Sequence, residues 1–467
     1  MIAEPEVIRK ALVAVCAEVS DGGPADFSGA IAYETPAAGL EAPSSAHEAS
    51  AEGAEGASEP VTGPVFVAAP RSTEEAAAVM RVAAGHELAV VVRGSGSRLS
   101  WGTPPSRCDL VIDMSRMAAV AEHAAGDLVA RVQAGARMGD VAAVLAQAGQ
   151  EIAIDVPDDA SIGGIVASGL AGPRRLRYGT PRDLLIGITI VRADGTVAKS
   201  GGKVVKNVAG YDLGKLFAGS AGTLGLITEA TFRLHPLPTA RAYVTAEYVA
   251  VSVACDAIAA AANSPLVSSA VELSRPAPGG PIRVGVLLEG SVDGVAARSA
   301  RMADLLGNGE VSAGPPAWWP GAPQAGPGET LVRVSFWVSA LGRVLDAVDA
   351  AAGKAGVSPA ITGSAGAGVL YALVPGQAEA EVAEAGVLEG RAEGTRAAAE
   401  FAALLRAAVA GEQCGVVVLA APAAVRAELA GRGGMNGTVP GLALMRAVKD
   451  QFDPGHRMAP GRFPEGA

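Results

Sequence analysis

Three glycine-bearing segments follow one another between Arg93 and Thr228, and they limit what the first half of this chain can fold into. The first is Arg93-Gly94-Ser95-Gly96-Ser97-Arg98, directly after the apolar run Leu88 to Val92. Glycine permits tight backbone turns and lets a ligand approach main-chain N–H groups. Successive N–H groups in such a nest bind phosphate oxygens. The spacing is not that of a Rossmann loop, because the third glycine position holds Leu99 and no helix signal opens there. The second segment runs from Asp158-Asp159-Ala160-Ser161-Ile162-Gly163-Gly164 through Gly169 to Gly172. The third joins Gly201-Gly202-Lys203, Lys206-Asn207 and Gly210-Tyr211-Asp212 to Gly219-Ser220-Ala221-Gly222-Thr223-Leu224-Gly225-Leu226-Ile227-Thr228. Singly, each has a plain structural reading: an ordinary turn, a turn entering a buried helix, a solvated basic face. Arg174, Arg175, Arg177, Arg182, Lys199, Lys203 and Lys206 also admit a functional reading, neutralisation of a pyrophosphate or an anionic substrate. In this order, the three segments jointly signal a phosphate-cradling fold.

The chain's bulk properties suit a globular enzyme. Its 467 residues allow two or three domains, and half are hydrophobic. A formal net charge of -11 argues against a polyanion-binding surface. The four cysteines, Cys16, Cys108, Cys255 and Cys414, are far apart, which fits neither a disulfide framework nor an iron–sulfur spacing. Five scattered histidines, His47, His86, His123, His235 and His456, offer no metal-ligand pattern, so no metal site is expected. With no signal peptide and no run near the ~18–20 apolar residues of a membrane span, the expectation is a cytoplasmic protein, peripheral to a membrane only through partners.

The predicted fold class is α+β. An N-terminal helical segment is expected within 1–35, with helical spacing over 4–19. Residues 36–60, rich in Ala, Glu, Ser, Gly and Pro, read as a disordered insert. A first domain over 61–239 should hold strands at 65–67, 88–92, 110–113, 128–134, 184–192, 196–199 and 228–234. Its helices follow Ser72 or Thr73 and span 138–147, and Ala193-Asp194-Gly195 reads as a hairpin turn. A second unit over 240–440 should alternate strands (243–248, 282–288, 330–337, 369–374, 415–420) with helices (252–262, 292–306, 340–352, 395–409). Residues 441–467 form a tail.

The text from Ser161 to Thr228, together with the ending Leu444 to Phe463, resembles the vanillyl-alcohol-oxidase superfamily. More narrowly, it is similar to the smaller FAD-binding flavoprotein of bacterial glycolate oxidase. The likeness is strong over roughly 60–240, good in the tail and loose between them. It implies a two-part FAD-binding domain of the p-cresol-methylhydroxylase type plus an α+β cap, with the tail returning to the FAD domain. It also implies residue roles. Arg93, Gly94, Ser95, Gly96, Ser97 and Arg98 would form the pyrophosphate loop. Ser161, Gly163, Gly164, Gly169 and Gly172 would line the diphosphate and ribityl region, and Gly222, Gly225 and Ile227 would contact the flavin nucleotide. Covalent attachment in such relatives uses a His or Cys near the phosphate loop. Positions 93–102 hold neither, so FAD is expected to be non-covalent.

Several residues depart from the family pattern. Gly169 stands where the family has Asn, and Ala459-Pro460-Gly461 replaces Asn-Pro-Gly. The His-x-Gly-Asp-Gly-Asn-x-His motif of related 2-hydroxy-acid dehydrogenases is missing. The resemblance implies a FAD-dependent 2-hydroxy-acid dehydrogenase of glycolate oxidase type, paired with a second flavoprotein and an iron–sulfur subunit. A different class, a FAD-containing electron-relay or scaffold subunit, fits the missing His motif. A nicotinamide Rossmann enzyme is disfavoured by the absent third glycine. No catalytic base is singled out; Tyr178, Tyr211 and Arg333 are the candidates for lining a substrate site.

Overall fold

The computed structural model describes residues 5–22, 65–202, 212–376 and 385–464. The predicted insert over 36–60, with Lys203, Lys206 and Tyr211, lies outside the described residues. The chain opens with helix α1 (Pro5–Val13) and strand β1 (Val19–Gly22), so the helix predicted over 4–19 is shorter and gives way to a strand. β1 pairs antiparallel with β2 (Val65–Ala68). Helix α2 (Thr73–Gly85) follows, capped by Ser72, whose hydroxyl accepts from Glu75 N at 3.1 Å. Strands β3 (Val90–Arg93) and β4 (Leu110–Asp113) complete a four-stranded sheet in the order β1-β2-β4-β3, with β2, β4 and β3 parallel.

A second, antiparallel sheet has the order β5-β6-β10-β8-β9. Its members are β5 (Val120–Ala124), β6 (Val129–Gln133), β8 (Leu185–Val191), β9 (Val197–Gly201) and β10 (Leu226–Arg233). Helix α3 (Met138–Ala146), strand β7 (Gln150–Glu151) and the short helices α4 (Ile162–Ser168), α5 (Arg175–Tyr178) and α6 (Pro181–Leu184) lie between β6 and β8. β7 pairs with β11 (His235–Pro236). The β8–β9 hairpin turns at Gly195 (φ +81°), where a Cβ would meet the Ala77 carbonyl of α2 at 2.7 Å. One apolar core, including Met80, Ile112, Val132, Ile165, Ile190 and Phe232, runs through both sheets.

The remainder is built on an eight-stranded antiparallel sheet. Along the chain come β12 (Ala240–Tyr248), α7 (Val251–Asn263), β13 (Ala270–Arg275), β14 (Ile282–Gly290), α8 (Val292–Leu305), β15 (Glu310–Ser312), β16 (Thr330–Ser335) and α9 (Leu341–Ala355). They are followed by β17 (Ala360–Gly363), β18 (Val369–Val374), α10 (Ala385–Val409), β19 (Gly415–Ala420) and α11 (Ala423–Ala430). α9 buries Leu341, Val344, Leu345, Val348, Ala351 and Ala352, a stripe at helical spacing that packs with Phe401, Val332 and Val418 into a second core. β13 is not among the strands expected from sequence, because Glu272 and Ser274 interrupt its apolar residues, yet all six of its residues are buried. β17 has only four residues and carries no strong pattern.

The tail helix α12 (Leu442–Phe452) turns the chain back to the first sheet. There Val90 N donates to Arg457 O (2.7 Å) and Ala459 N donates to Val90 O (2.8 Å), making a parallel bridge between Val90 and Met458. The two halves are further joined by Arg174. Its side chain reaches Glu151 (2.8 Å) and Asp155 (2.6 Å) in the first half and Glu289 of β14 (3.5 Å) in the second. Tyr178 and Arg241 also bond Glu289. Arg174, which in sequence reads as one of the residues available to a ligand anion, is therefore engaged by three carboxylates.

Candidate functional site

The glycine segments converge on one cleft between the two halves, enclosing about 1340 Å³ of empty space with its solvent-open part. One wall is the turn after β3. Gly96 there has φ +80°, and Leu99 N donates to Gly96 O at 3.1 Å. Gly94 packs so tightly that a Cβ would stand 2.8 Å from Ser161 Cβ and closer still to its Oγ. Ser161 caps α4 by accepting from Gly164 N at 3.3 Å. At Gly163 a Cβ would meet Ala134 Cβ at 2.9 Å. The opposite wall is the turn Gly219–Gly225, held to α4 by Ala221 N donating to Ala167 O at 2.8 Å.

Of the residues singled out by sequence, Gly94, Ser95, Gly96, Ser97, Arg98, Ser161, Gly163, Gly164, Gly222, Gly225 and Ile227 line this cleft. Arg93, Gly169 and Gly172 are not among the lining residues. Arg93 donates to Asp113 at 2.7 Å. Burial would raise the Asp113 carboxyl, but Arg93 and the Ser115 amide outweigh it and hold the carboxyl below its usual value. Gly169 ends α4 with φ +65° beside Gly219, and Gly172 packs with a would-be Cβ 2.5 Å from Asp155. Both therefore have steric roles behind the cleft.

The cleft also collects cations. Arg98 lies over the Trp101 ring (5.0 Å to its centroid), with its Nε and Nη2 buried and without hydrogen-bond partners. Arg462, from the tail, donates to Leu99 O while its Nε has no partner. Burial lowers Arg462 to about 10, so it stays charged at neutral pH. Arg333 reaches the cleft from β16 of the large sheet, among Val417, Leu419 and Trp101. Its Nε is likewise buried and unpartnered, and burial lowers its pKa. Gly102 N donates to Leu419 O at 2.7 Å and closes this end. Arg333 is a candidate from sequence; Trp101 and Asn436 carry no local motif and enter through the fold, and Arg462 lies in the tail, whose resemblance to the family assigns it no site role.

Half-buried guanidinium groups, each with a buried nitrogen left without a partner, beside side-chain-free backbone fit an elongated, polyanionic ligand. The residues present thus suit the diphosphate of a dinucleotide cofactor. No His or Cys is among the residues lining the cleft. Cys108 sits behind it, buried, with its thiol pushed up to about 12 by desolvation. Among the described residues, no His, Cys, Asp or Glu cluster could hold a metal ion, and no helix is long and apolar enough to cross a membrane.

Comparison with known proteins agrees with this geometry. Residues 64–201 match the family described as FAD binding domain. Glycolate oxidase subunit GlcD of Bacillus subtilis is 34% identical over 215 residues, covering 45% of each protein. Glycolate oxidase subunit GlcE of Escherichia coli is 37% identical over 154 residues, covering 32% of this chain and 43% of the relative. The matched regions span less than half the length of either relative. Among solved structures, p-cresol methylhydroxylase with substrate bound superposes with a TM-score of 0.64 at 16% identity, over 85% of this chain and 88% of that one. The chain therefore carries a FAD-binding domain and has the p-cresol-methylhydroxylase-type fold, and FAD is its cofactor.

Proposed function

We propose that this chain is a FAD-dependent oxidoreductase acting on a small 2-hydroxy acid, as one flavoprotein subunit of an assembly with a second flavoprotein and an iron–sulfur protein. The observation that carries this reading is Arg333, a half-buried cation whose buried Nε has no partner, in the same cleft as the phosphate-type loops. A guanidinium among apolar walls is suited to bind a carboxylate by a paired, charge-assisted hydrogen bond. In the sheet ladder Arg333 lies opposite Tyr371, whose hydroxyl accepts from Arg175 Nη2 at 3.2 Å. Those neighbours set the guanidinium's surroundings on the cleft-facing side of the sheet.

Gly94 to Arg98, Ser161, Gly163, Gly164, Gly222, Gly225 and Ile227 would hold the cofactor, with Arg98 beside its diphosphate. Arg93, Gly169 and Gly172 would shape the walls behind it. When bound, FAD supplies the acceptor for a hydride equivalent. The protein's own contribution is to orient the acid through Arg333 and to exclude water with Trp101, Val417 and Leu419. The likeness to two different glycolate oxidase subunits supports the multi-subunit reading.

A second reading is a FAD-containing relay subunit that receives electrons from a sister flavoprotein. It is favoured by the missing His-x-Gly-Asp-Gly-Asn-x-His motif and by the position of the described histidines, none of which lines the cleft. Anaerobic mixing of the isolated, flavin-loaded chain with glycolate or D-lactate separates the two. Bleaching of the flavin band is the expected result. A flavin that bleaches with dithionite but with neither acid favours the relay.

A further inference from the structure

The charge pair Lys449–Asp453 is buried out of reach of any substrate: its side chains are 1% and 0% exposed. A lysine is rarely this buried unless paired. An ammonium has three N–H donors, and here each has an acceptor: Thr223 O at 2.8 Å, Asp453 Oδ2 at 2.5 Å and Met458 O at 3.2 Å. Asp453 in turn accepts from Met458 N (2.8 Å) and Arg457 N (3.1 Å).

Two of these partners adjoin the elements that form the walls of the cofactor cleft, without lining it themselves. Thr223 is in the Gly219–Gly225 turn, next to Gly222. Met458 bridges β3, the strand that feeds the Arg93–Arg98 loop. An apolar pair of similar volume in place of Lys449 and Asp453 could seat α12 equally well, since replacing both members of a buried ion pair is often neutral for stability. It could not grip two main-chain carbonyls at fixed directions. What a buried charge contributes here is geometry.

We propose that Lys449 is a positioning residue for the cofactor: through Thr223 and Met458 it sets the spacing between the two glycine walls, and so the affinity and asymmetric environment of the flavin. The proposal rests on the FAD assignment of the cleft. Its test uses apoprotein of the full chain, wild type, Lys449→Met and Lys449→Arg, titrated with FAD. The readouts are the dissociation constant, the visible circular dichroism of the bound flavin and the melting temperature of each apoprotein. Lys449→Met is expected to weaken FAD binding about tenfold or more and to alter the visible dichroism. Lys449→Arg is expected to recover part of the affinity. Lys449→Met with wild-type affinity and dichroism, and only a lowered melting temperature, would overturn the proposal and leave the pair a structural staple. If Lys449→Met does not fold, Lys449→Arg decides: weaker binding with an unchanged apoprotein melt supports the role, and unchanged binding overturns it. Wild-type protein that takes up no FAD would remove the cofactor assignment itself, and this role with it.

Discussion

Gly94→Ala is a one-methyl perturbation whose cost can be worked from the structure. The new Cβ would stand 2.8 Å from Ser161 Cβ and nearer to Oγ, so one of the two must move. Ser161 has little room: its carbonyl accepts from Ile165 N at 2.9 Å, and its backbone bridges Arg137. Rotating the hydroxyl away forfeits the cap bond from Gly164 N, worth about 1 kcal/mol. The remaining overlap is a small overpacking, about 1–3 kcal/mol. Together these lower stability by roughly 2–4 kcal/mol, or about 5–10 °C in melting temperature for a domain of this size. Because the shift occurs in the cofactor wall, FAD should also stabilise the variant less. At 100 times its dissociation constant FAD raises wild-type stability by ~2.7 kcal/mol. Differential scanning fluorimetry with and without FAD measures both terms. Ser161→Gly supplies the control, since glycine at a cap costs only a few tenths of a kcal/mol. Combined with Gly94→Ala, it removes both clashing atoms, so the double variant should melt close to Ser161→Gly alone. Additive losses, or a wild-type melt for Gly94→Ala in both conditions, would refute the steric reasoning.

Glu272 gives a pH prediction. Burial raises its carboxyl to about 8, against opposing contributions from Ser364 and Arg175. A folded-state value above the unfolded one means that stability is fully present below about pH 4.5 and is lost as pH rises through about 8. Glu272→Gln should therefore match wild type near pH 5 in urea melts and exceed it at pH 9, by at most ~5 kcal/mol; a difference that does not grow with pH would count against this. Arg174→Met should leave Glu151 and Asp155 without their close cation and Glu289 with Arg241 alone, and cost about 3–5 kcal/mol, read as a lower urea midpoint. A midpoint indistinguishable from wild type would show that the two halves are held by other contacts. Acid precipitation of flavin-loaded protein should release all the flavin, as no His or Cys lines the cleft; yellow pellets would contradict non-covalent binding.

How far the sequence can be read depends on whether a signal is local. Ser72 and Gly195 declare a cap and a turn within a few residues, and the structure has both there. α9 and β18 follow from side-chain periodicity, and β18 lies over the predicted 369–374. β13 is invisible in sequence because its interior polar residues, Glu272 and Ser274, are buried in the middle of the sheet, between the adjacent β14 and β17, the latter much further along the chain. The glycine loops are legible as a group, since only close backbone approach accounts for such density. What each arginine does is not. Arg93 and Arg174 look like ligand residues in sequence yet are taken by carboxylates, whereas Arg462, which the tail's resemblance does not single out, is left with an unpartnered nitrogen.

The bridge between Val90 and Met458 also has a consequence in time. The strand that leads into the phosphate-type loop completes its main-chain pairing with a segment made several hundred residues later. At ~5–20 residues per second, a ribosome needs roughly 20–70 s to travel from one to the other. The eight-stranded unit is complete only once β19 (Gly415–Ala420) has been made, near the end of that interval, and throughout it the first sheet waits with β3 unsatisfied along one edge. Cofactor capture then waits for residues 457–459 to emerge, and a product terminated before Met458 would lack the pairing that finishes the cleft.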